Sequence, residues 1–226
     1  MSDPMNRFLS RETSLRLLQN IRKAGLPYQY DPEKHRVVLL DAAGNEQVYF
    51  RLPVTFPAPE KDLTLPAEPV NYIILLVQSG SCAIGYFEDG KNLDHKVFRA
   101  YMVRKKRGVS QIKHLKTKGK SRAGSRVRLA ETEEFFENIN ERLQEYFSEF
   151  RVDRIALSLP KILMPYFFNS KTATPFHKHD PRIFRIPRHI HTPIYEVLTD
   201  THKFLLKGEL IWEEKDQELA DSLLEI

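Results

Sequence analysis

Between Arg104 and Arg128 the chain carries eleven Lys or Arg and not one Asp or Glu. Gly108, Gly119 and Gly124 interrupt this stretch, and large apolar groups are nearly missing from it. Such a segment has too little apolar surface to order itself, so any fold must be built on either side of it. The whole chain holds 35 basic and 30 acidic residues, a net charge of +5; setting the 11 aside leaves 24 basic against 30 acidic. Basicity is therefore one local feature on an otherwise acidic protein. Its natural partner is a polyanion, because neutralising phosphates releases counterions and drives binding. The plainer alternative is a solvated surface loop, but the complete lack of acids favours nucleic acid.

The remaining bounds are ordinary. At 226 residues with 41% hydrophobic content, the chain can build one substantial domain and a smaller one. The longest apolar run, Tyr72 to Val77, is too short to span a bilayer, so no membrane is expected. Met1 to Asn6 is polar and does not read as a signal peptide. Cys82 is the sole cysteine, which excludes an internal disulfide or a cysteine-based zinc site. A soluble, cytoplasmic protein is expected, acting as a monomer and without a cofactor.

Ser10 can cap a helix with Leu15, Leu18 and Ile21 on its apolar face, stopped by Gly25-Leu26-Pro27. Two strands, 35–41 and 47–52, read as a hairpin about Ala42-Ala43-Gly44-Asn45. Pro53, Pro57, Pro59, Pro66 and Pro69 suggest a stiff linker, giving an N-terminal helix and β-hairpin unit over 1–66. A main domain then spans 67–208, and 209–226 reads as an acidic C-terminal tail. Within the main domain, strands at 70–77, 82–88 and 93–103 precede the basic segment. Acidic Glu131, Glu133 and Glu134 suggest a helix start beyond it, with Phe136, Ile139, Leu143, Phe147 and Phe150 at helical spacing. A strand at 154–159, a short helix at 161–169, a strand at 182–186 and a helix at 193–206 complete the order βββαβαβα. That order predicts an α/β (α+β) fold: a ribonuclease-H-like mixed sheet with packed helices and a long basic loop.

Three sets of residues could carry chemistry. A ribonuclease-H-type nuclease needs carboxylates on its first strand to hold metal ions, and the 70–78 strand has none, so no metal is expected. His177, His179, His189 and His191 alternate in a way that could bind zinc, but Lys178, Arg182, Arg185 and Arg188 lie among them and oppose a dication. Polar residues flanking a short strand, or an RNA-facing surface, are the competing readings. In the basic segment, Ser110 has no evident partner base, although His114 lies close in sequence. Gln111 is neutral and cannot act as a general base, yet it can orient a water or stabilise an oxyanion beside donors of a Gly-containing loop. Taken on spacing alone, it could equally be a plain loop residue.

The run Arg104-Lys105-Lys106-Arg107-Gly108-Val109-Ser110-Gln111, followed by Gly119-Lys120-Ser121-Arg122-Ala123-Gly124-Ser125, resembles the signature of the Vms-like release factors. A second match follows at His179-Asp180-Pro181-Arg182-Ile183-Phe184-Arg185-Ile186-Pro187, then Thr192-Pro193. The family includes the ankyrin-repeat and zinc-finger peptidyl-tRNA hydrolase of animals. It is similar to the catalytic domain of eukaryotic and archaeal class I release factors. The resemblance, over roughly residues 70–207 on the coarse reading of elements, implies an enzyme that rescues stalled ribosomes. Such a peptidyl-tRNA hydrolase or tRNA endonuclease frees the nascent chain by ester hydrolysis or by cutting near the tRNA 3′ CCA end. It carries catalytic roles onto Gln111, Ser110 and Gly108. The implied partners are the large ribosomal subunit, its ribosomal RNA and peptidyl-tRNA. RNA contacts would fall on Arg104, Lys105, Lys106, Arg107, Lys113, Lys116, Lys118, Lys120, Arg122, Arg126 and Arg128. The chain departs from the family at Val109, where a second glycine is usual and a β-branched residue restricts the backbone. The alternative is a non-catalytic ribosome- or RNA-binding protein that keeps the fold.

Overall fold

The computed structural model describes residues 4–100 and 123–225, with only the backbone of 123–129. The chain divides into two units: residues 1–70, 88–90 and 200–226 form one, and 71–87 with 91–199 form the other.

The first unit is an antiparallel sheet with helices. Strand β1 (Met5–Leu9) leads into helix α1 (Arg11–Ala24). Ser10 caps that helix as the sequence suggests, its Oγ accepting the Thr13 N–H at 3.1 Å. Gly25 ends it in the left-handed region, at φ 62°, which only glycine adopts without strain. Leu17, Leu18 and Ile21 are its buried face, with Leu15 packed at the margin. Strands β2 (Tyr28–Asp31), β3 (Arg36–Leu40) and β4 (Glu46–Arg51) follow. Asp41 builds the β3–β4 turn, its Oδ1 accepting the N–H groups of Ala43 and Asn45, both at 2.8 Å. The proline-rich stretch after β4 is no free linker, because Val54, Phe56 and Leu63 are buried in this unit's core.

The region expected to be an acidic tail is built into the same unit. Strand β10 (Gly208–Trp212) lies between β1 and β4, giving the order β1-β10-β4-β3-β2. Helix α5 (Gln217–Glu225) adds Ala220 and Leu223 to the core. Inside the sheet, buried Arg51 on β4 pairs with Glu209 on β10, Nε to Oε2 at 3.1 Å. Asn6 on β1 donates to the other Glu209 oxygen at 2.8 Å, so one carboxylate ties three neighbouring strands.

The second unit holds a mixed sheet in the order β7-β6-β5-β8-β9. Its strands are β5 (Tyr72–Gln78), β6 (Ser81–Glu88), β7 (Lys91–Arg99), β8 (Arg154–Ser158) and β9 (Ile183–Arg185). In order of appearance this is 3-2-1-4-5. The first two strands are antiparallel, and β5, β8 and β9 run parallel. That is the ribonuclease-H-like sheet the element order suggested. β5 occupies the centre, which explains its unbroken apolar sequence: Tyr72 to Val77 are all fully buried.

Helix α2 (Ala123–Glu149) covers the sheet with Phe135, Phe136, Ile139, Leu143 and Tyr146, all buried. Each such side chain contributes roughly 1.5–3 kcal/mol of burial. The helix begins at Ala123, inside the basic stretch, rather than at the acids 131–134. Those acids therefore sit two turns in instead of capping the helix; Glu133 among them, with Glu137 one turn on, faces Lys171 at 3.4 and 3.5 Å. Helices α3 (Met164–Phe168) and α4 (Tyr195–Leu205) complete the elements between β8 and β10.

Candidate functional site

The expected catalytic residues Gly108, Ser110 and Gln111, and the expected RNA contacts from Arg104 to Arg122, lie outside the described residues. Arg126 and Arg128 fall on the backbone of the first turns of α2. What the structure does describe is how the two ends of this segment are held.

The entry end is anchored to the sheet. Ala100, immediately after β7, donates its N–H to the Gly80 carbonyl at 3.0 Å, in the turn joining β5 to β6. Gly80 takes φ 75° there, the reason a glycine stands at this turn. The exit end is the long helix α2, and strand and helix are tied directly. Arg142 of α2 pairs with Asp94 of β7 and, at 2.5 Å, with Glu145 one turn away. Its guanidinium also lies 4.9 Å from the Tyr146 ring centroid. Burial, reinforced by the Asp94 carboxylate, pushes the Tyr146 phenol well above its ordinary range, so it stays a neutral hydroxyl. Asn140, fully buried, donates from Nδ2 to the Phe167 carbonyl at 3.1 Å and the Thr172 carbonyl at 2.8 Å, fastening α2 to the chain beyond β8. In sequence, the basic segment thus begins just beyond β7 and ends within α2.

The second motif, His179 to Pro187, forms a turn entering β9. Asp180 and Arg182 make a bidentate pair, Nε to Oδ1 at 2.9 Å and an Nη to Oδ2 at 2.8 Å. The hydrogen bonds from Arg182 hold the Asp180 carboxyl below its ordinary range. Arg182 also reaches the Val152 carbonyl at 3.2 Å and stacks 5.0 Å from the Phe147 ring centroid. Its cation is thus engaged in shaping the turn. His177 accepts the His179 N–H at 3.2 Å through Nδ1, and the rings of His189 and His191 meet edge to face at 4.3 Å. Among the described residues, no three His, Cys, Asp or Glu groups converge on a point where a metal could sit. Cys82, buried on β6, has its thiol pushed up by burial and is inert.

A cleft that no motif or spacing points to opens where β5, β8 and β9 end, lined by Gln78, Lys161, Arg185, Arg188 and apolar neighbours. Arg185 and Arg188 had been visible as cations among histidines. Gln78 and Lys161 carry no sequence signal, because only the parallel register brings strand ends from separate parts of the chain together. Among the described residues, no helix is long and apolar enough to cross a membrane.

No curated protein sequence matches the chain. A solved structure described as the Vms1 mitochondrial localization core is similar at a TM-score of 0.45 and 12% identity, over 90% of this chain and 84% of that one. The model of a family described as the Bacteroidetes VLRF1 release factor matches residues 72–211, from the first residue of β5 into β10. That span contains the whole second sheet, the basic segment and the His179–Pro187 turn. The chain belongs to the Bacteroidetes VLRF1 release factor family.

Proposed function

We propose that this protein is a ribosome rescue factor that cleaves peptidyl-tRNA on stalled large subunits and so releases the nascent chain. The observation that carries the reading is the family match across 72–211, which encloses the cationic stretch lying in sequence between a sheet strand and a long helix. A release factor works at the ribosome, and eleven cations without an acid suit a path lined by ribosomal RNA. The working place is the cytoplasm, and the protein acts as a monomer.

In this proposal the cations from Arg104 to Arg128 follow RNA phosphates and bring Gly108, Ser110 and Gln111 to the acceptor end of the tRNA. In ester hydrolysis, a water oriented by the Gln111 amide attacks the ester carbonyl carbon. The oxyanion that forms is stabilised by amide and backbone N–H donors near Gly108, and Ser110 supplies a further hydroxyl. Collapse breaks the bond to the ribose 3′-oxygen, which takes up a proton, leaving a free peptide carboxylate and an intact tRNA. In cleavage near the CCA end, the 2′-hydroxyl or water would attack the phosphorus of a phosphodiester and break its bond to the 5′-oxygen of the next nucleotide, which takes up the proton the nucleophile loses, with Arg or Lys neutralising the developing charge.

One residue favours a second reading. Val109 replaces a glycine that the resemblance leads one to expect, and its branched side chain narrows the backbone choices beside Ser110. On that reading the protein binds ribosomes without cutting.

The test is to incubate the protein with peptidyl-tRNA on purified large subunits and sequence the tRNA 3′ end. An intact CCA with released peptide marks ester hydrolysis, a shortened end marks the nuclease, and no reaction marks the binding protein. Gln111→Ala should retain ribosome binding, since every cation remains, and lower cleavage by roughly a hundredfold or more. Cleavage at the parental rate by that variant removes Gln111 from the catalytic role.

A further inference from the structure

The cleft at the ends of β5, β8 and β9 has a volume of about 650 Å³. That lies within the span of about 300–1,000 Å³ typical of small-ligand sites. Crevices beyond the carboxyl ends of parallel strands are where open α/β sheets bind ligands, because neighbouring loops diverge there.

Its surface has two characters. Leu157, Met164, Ile186 and Ile190 give an apolar floor. Lys161, Arg185, Arg188 and His189 stand on the rim, all exposed, and among the described residues the lining includes no carboxylate.

One wall is held in place by the strands opposite. Gln78, at the end of β5, donates from Nε2 to the Ile190 carbonyl at 2.6 Å, and Ser81 donates to the Pro193 carbonyl at 2.7 Å. The Ile186 N–H bonds the Leu157 carbonyl at 3.1 Å. Three hydrogen bonds thus fix the loop bearing Arg188 and His189, so the cleft is preformed. Its position adds the last piece. Ala100, at the root of the basic segment, is bonded to Gly80, two residues beyond Gln78. The cleft and the root of the polycation therefore share one end of the sheet, where β5, β7, β8 and β9 all finish.

An apolar floor under a cationic rim complements a nucleotide, with the base face on aliphatic side chains and phosphate oxygens on Lys and Arg. We infer that the cleft is a second RNA contact, holding one unstacked nucleotide of single-stranded RNA with its phosphate on Lys161, Arg185 and Arg188. The inference rests on the ribosomal reading for the source of that RNA, but not on any cleavage step.

The experiment uses the full chain with a photocrosslinker on the rim. Cys82 is buried, so a His189→Cys variant, which keeps all three phosphate-holding cations, takes a benzophenone maleimide at position 189 alone. On purified large subunits this probe should crosslink to ribosomal RNA, and an excess of single-stranded oligouridylate should suppress it. Crosslinks to ribosomal protein only would assign the cleft to a protein partner and overturn the inference, as would no crosslink. In parallel, Arg185→Glu should weaken binding of a fluorescent oligouridylate of about ten nucleotides. The loss should be roughly tenfold, with Arg185→Gln showing a smaller one, as expected for losing a charge-assisted hydrogen bond. Arg185 is exposed, so melting should not change, and unaltered affinity in both variants would also overturn the inference. Gln111→Ala should leave both readouts intact, which keeps a failure of the cleavage proposal separate from a failure of this one.

Discussion

At the scale of single residues, the most perturbed histidine among the described residues lies outside the His177–His191 cluster. His202, on α4, is buried, and desolvation lowers its pKa from the ordinary 6.5 to about 4. Below pH 6.5 the unfolded chain gains a proton there while the folded chain does not, so the unfolded state binds more protons. Stability is therefore complete above about pH 6.5 and declines as pH falls toward 4, by up to roughly 3 kcal/mol from this group. Urea midpoints compared at about pH 7 and pH 4.5 should show this decline, and His202→Gln should flatten it. Identical pH dependence in the two proteins would mean that His202 is as easily protonated folded as unfolded. The sequence hides such a residue because a histidine's burial depends on which way its helix faces, whereas clusters such as His189 and His191 announce themselves by spacing alone. Gln111 is the converse case: the motif marks it, and no geometry was needed to single it out.

At the scale of elements, Gly208 opens β10 at a point with no room for a side chain. A Cβ there would meet Ser14 Oγ at 2.3 Å and Phe50 Cε2 at 2.9 Å, both fully buried. Gly208→Ala should thus push β10 off α1 and β4, costing about 1–3 kcal/mol. A thermal melt within error of the parent would show that Ser14 and Phe50 can yield. Other elements were legible to differing degrees, for physical reasons. β3, β4 and β5 announced themselves through apolar runs between turn residues. β1 was missed because only Leu9 of its five residues is buried, so no alternation marks it. β2, Tyr-Gln-Tyr-Asp, is an edge strand with no fully buried position. The start of α2 lies earlier than the acids 131–134 suggest, because charge density does not by itself bar a helix. Ala123, Arg126, Leu129 and Ala130 are nonetheless good helix formers and extend a helix already fixed by packing further on.

At the scale of the whole molecule, the family match does not coincide with a structural unit. It ends at residue 211, within β10, whereas the sheet partners of β10 are β1 and β4 from the first fifty-one residues. Sequence reading placed a boundary before residue 209 because the following stretch is acidic and short. It could not see that Leu210 and Trp212 face a core built by residues 9–63. The consequence is testable by ending the chain at Gly208. The shortened protein loses Leu210, Trp212, Ala220 and Leu223 from its first core, and β1 loses β10, its sole sheet partner among the described residues. It also leaves Arg51, 3% exposed, without the Glu209 carboxylate. Each buried apolar side chain lost withdraws roughly 1.5–3 kcal/mol, against a total stability of about 5–15 kcal/mol for a typical protein. The first unit should therefore fail to fold. Hydrogen exchange should find the β3 and β4 amides unprotected in the truncated chain and strongly protected in the full one. Retained protection at Val37–Leu39 and Val48–Phe50 would mean that the hairpin and α1 make a stable core unaided, and that 209–226 is an accessory tail after all.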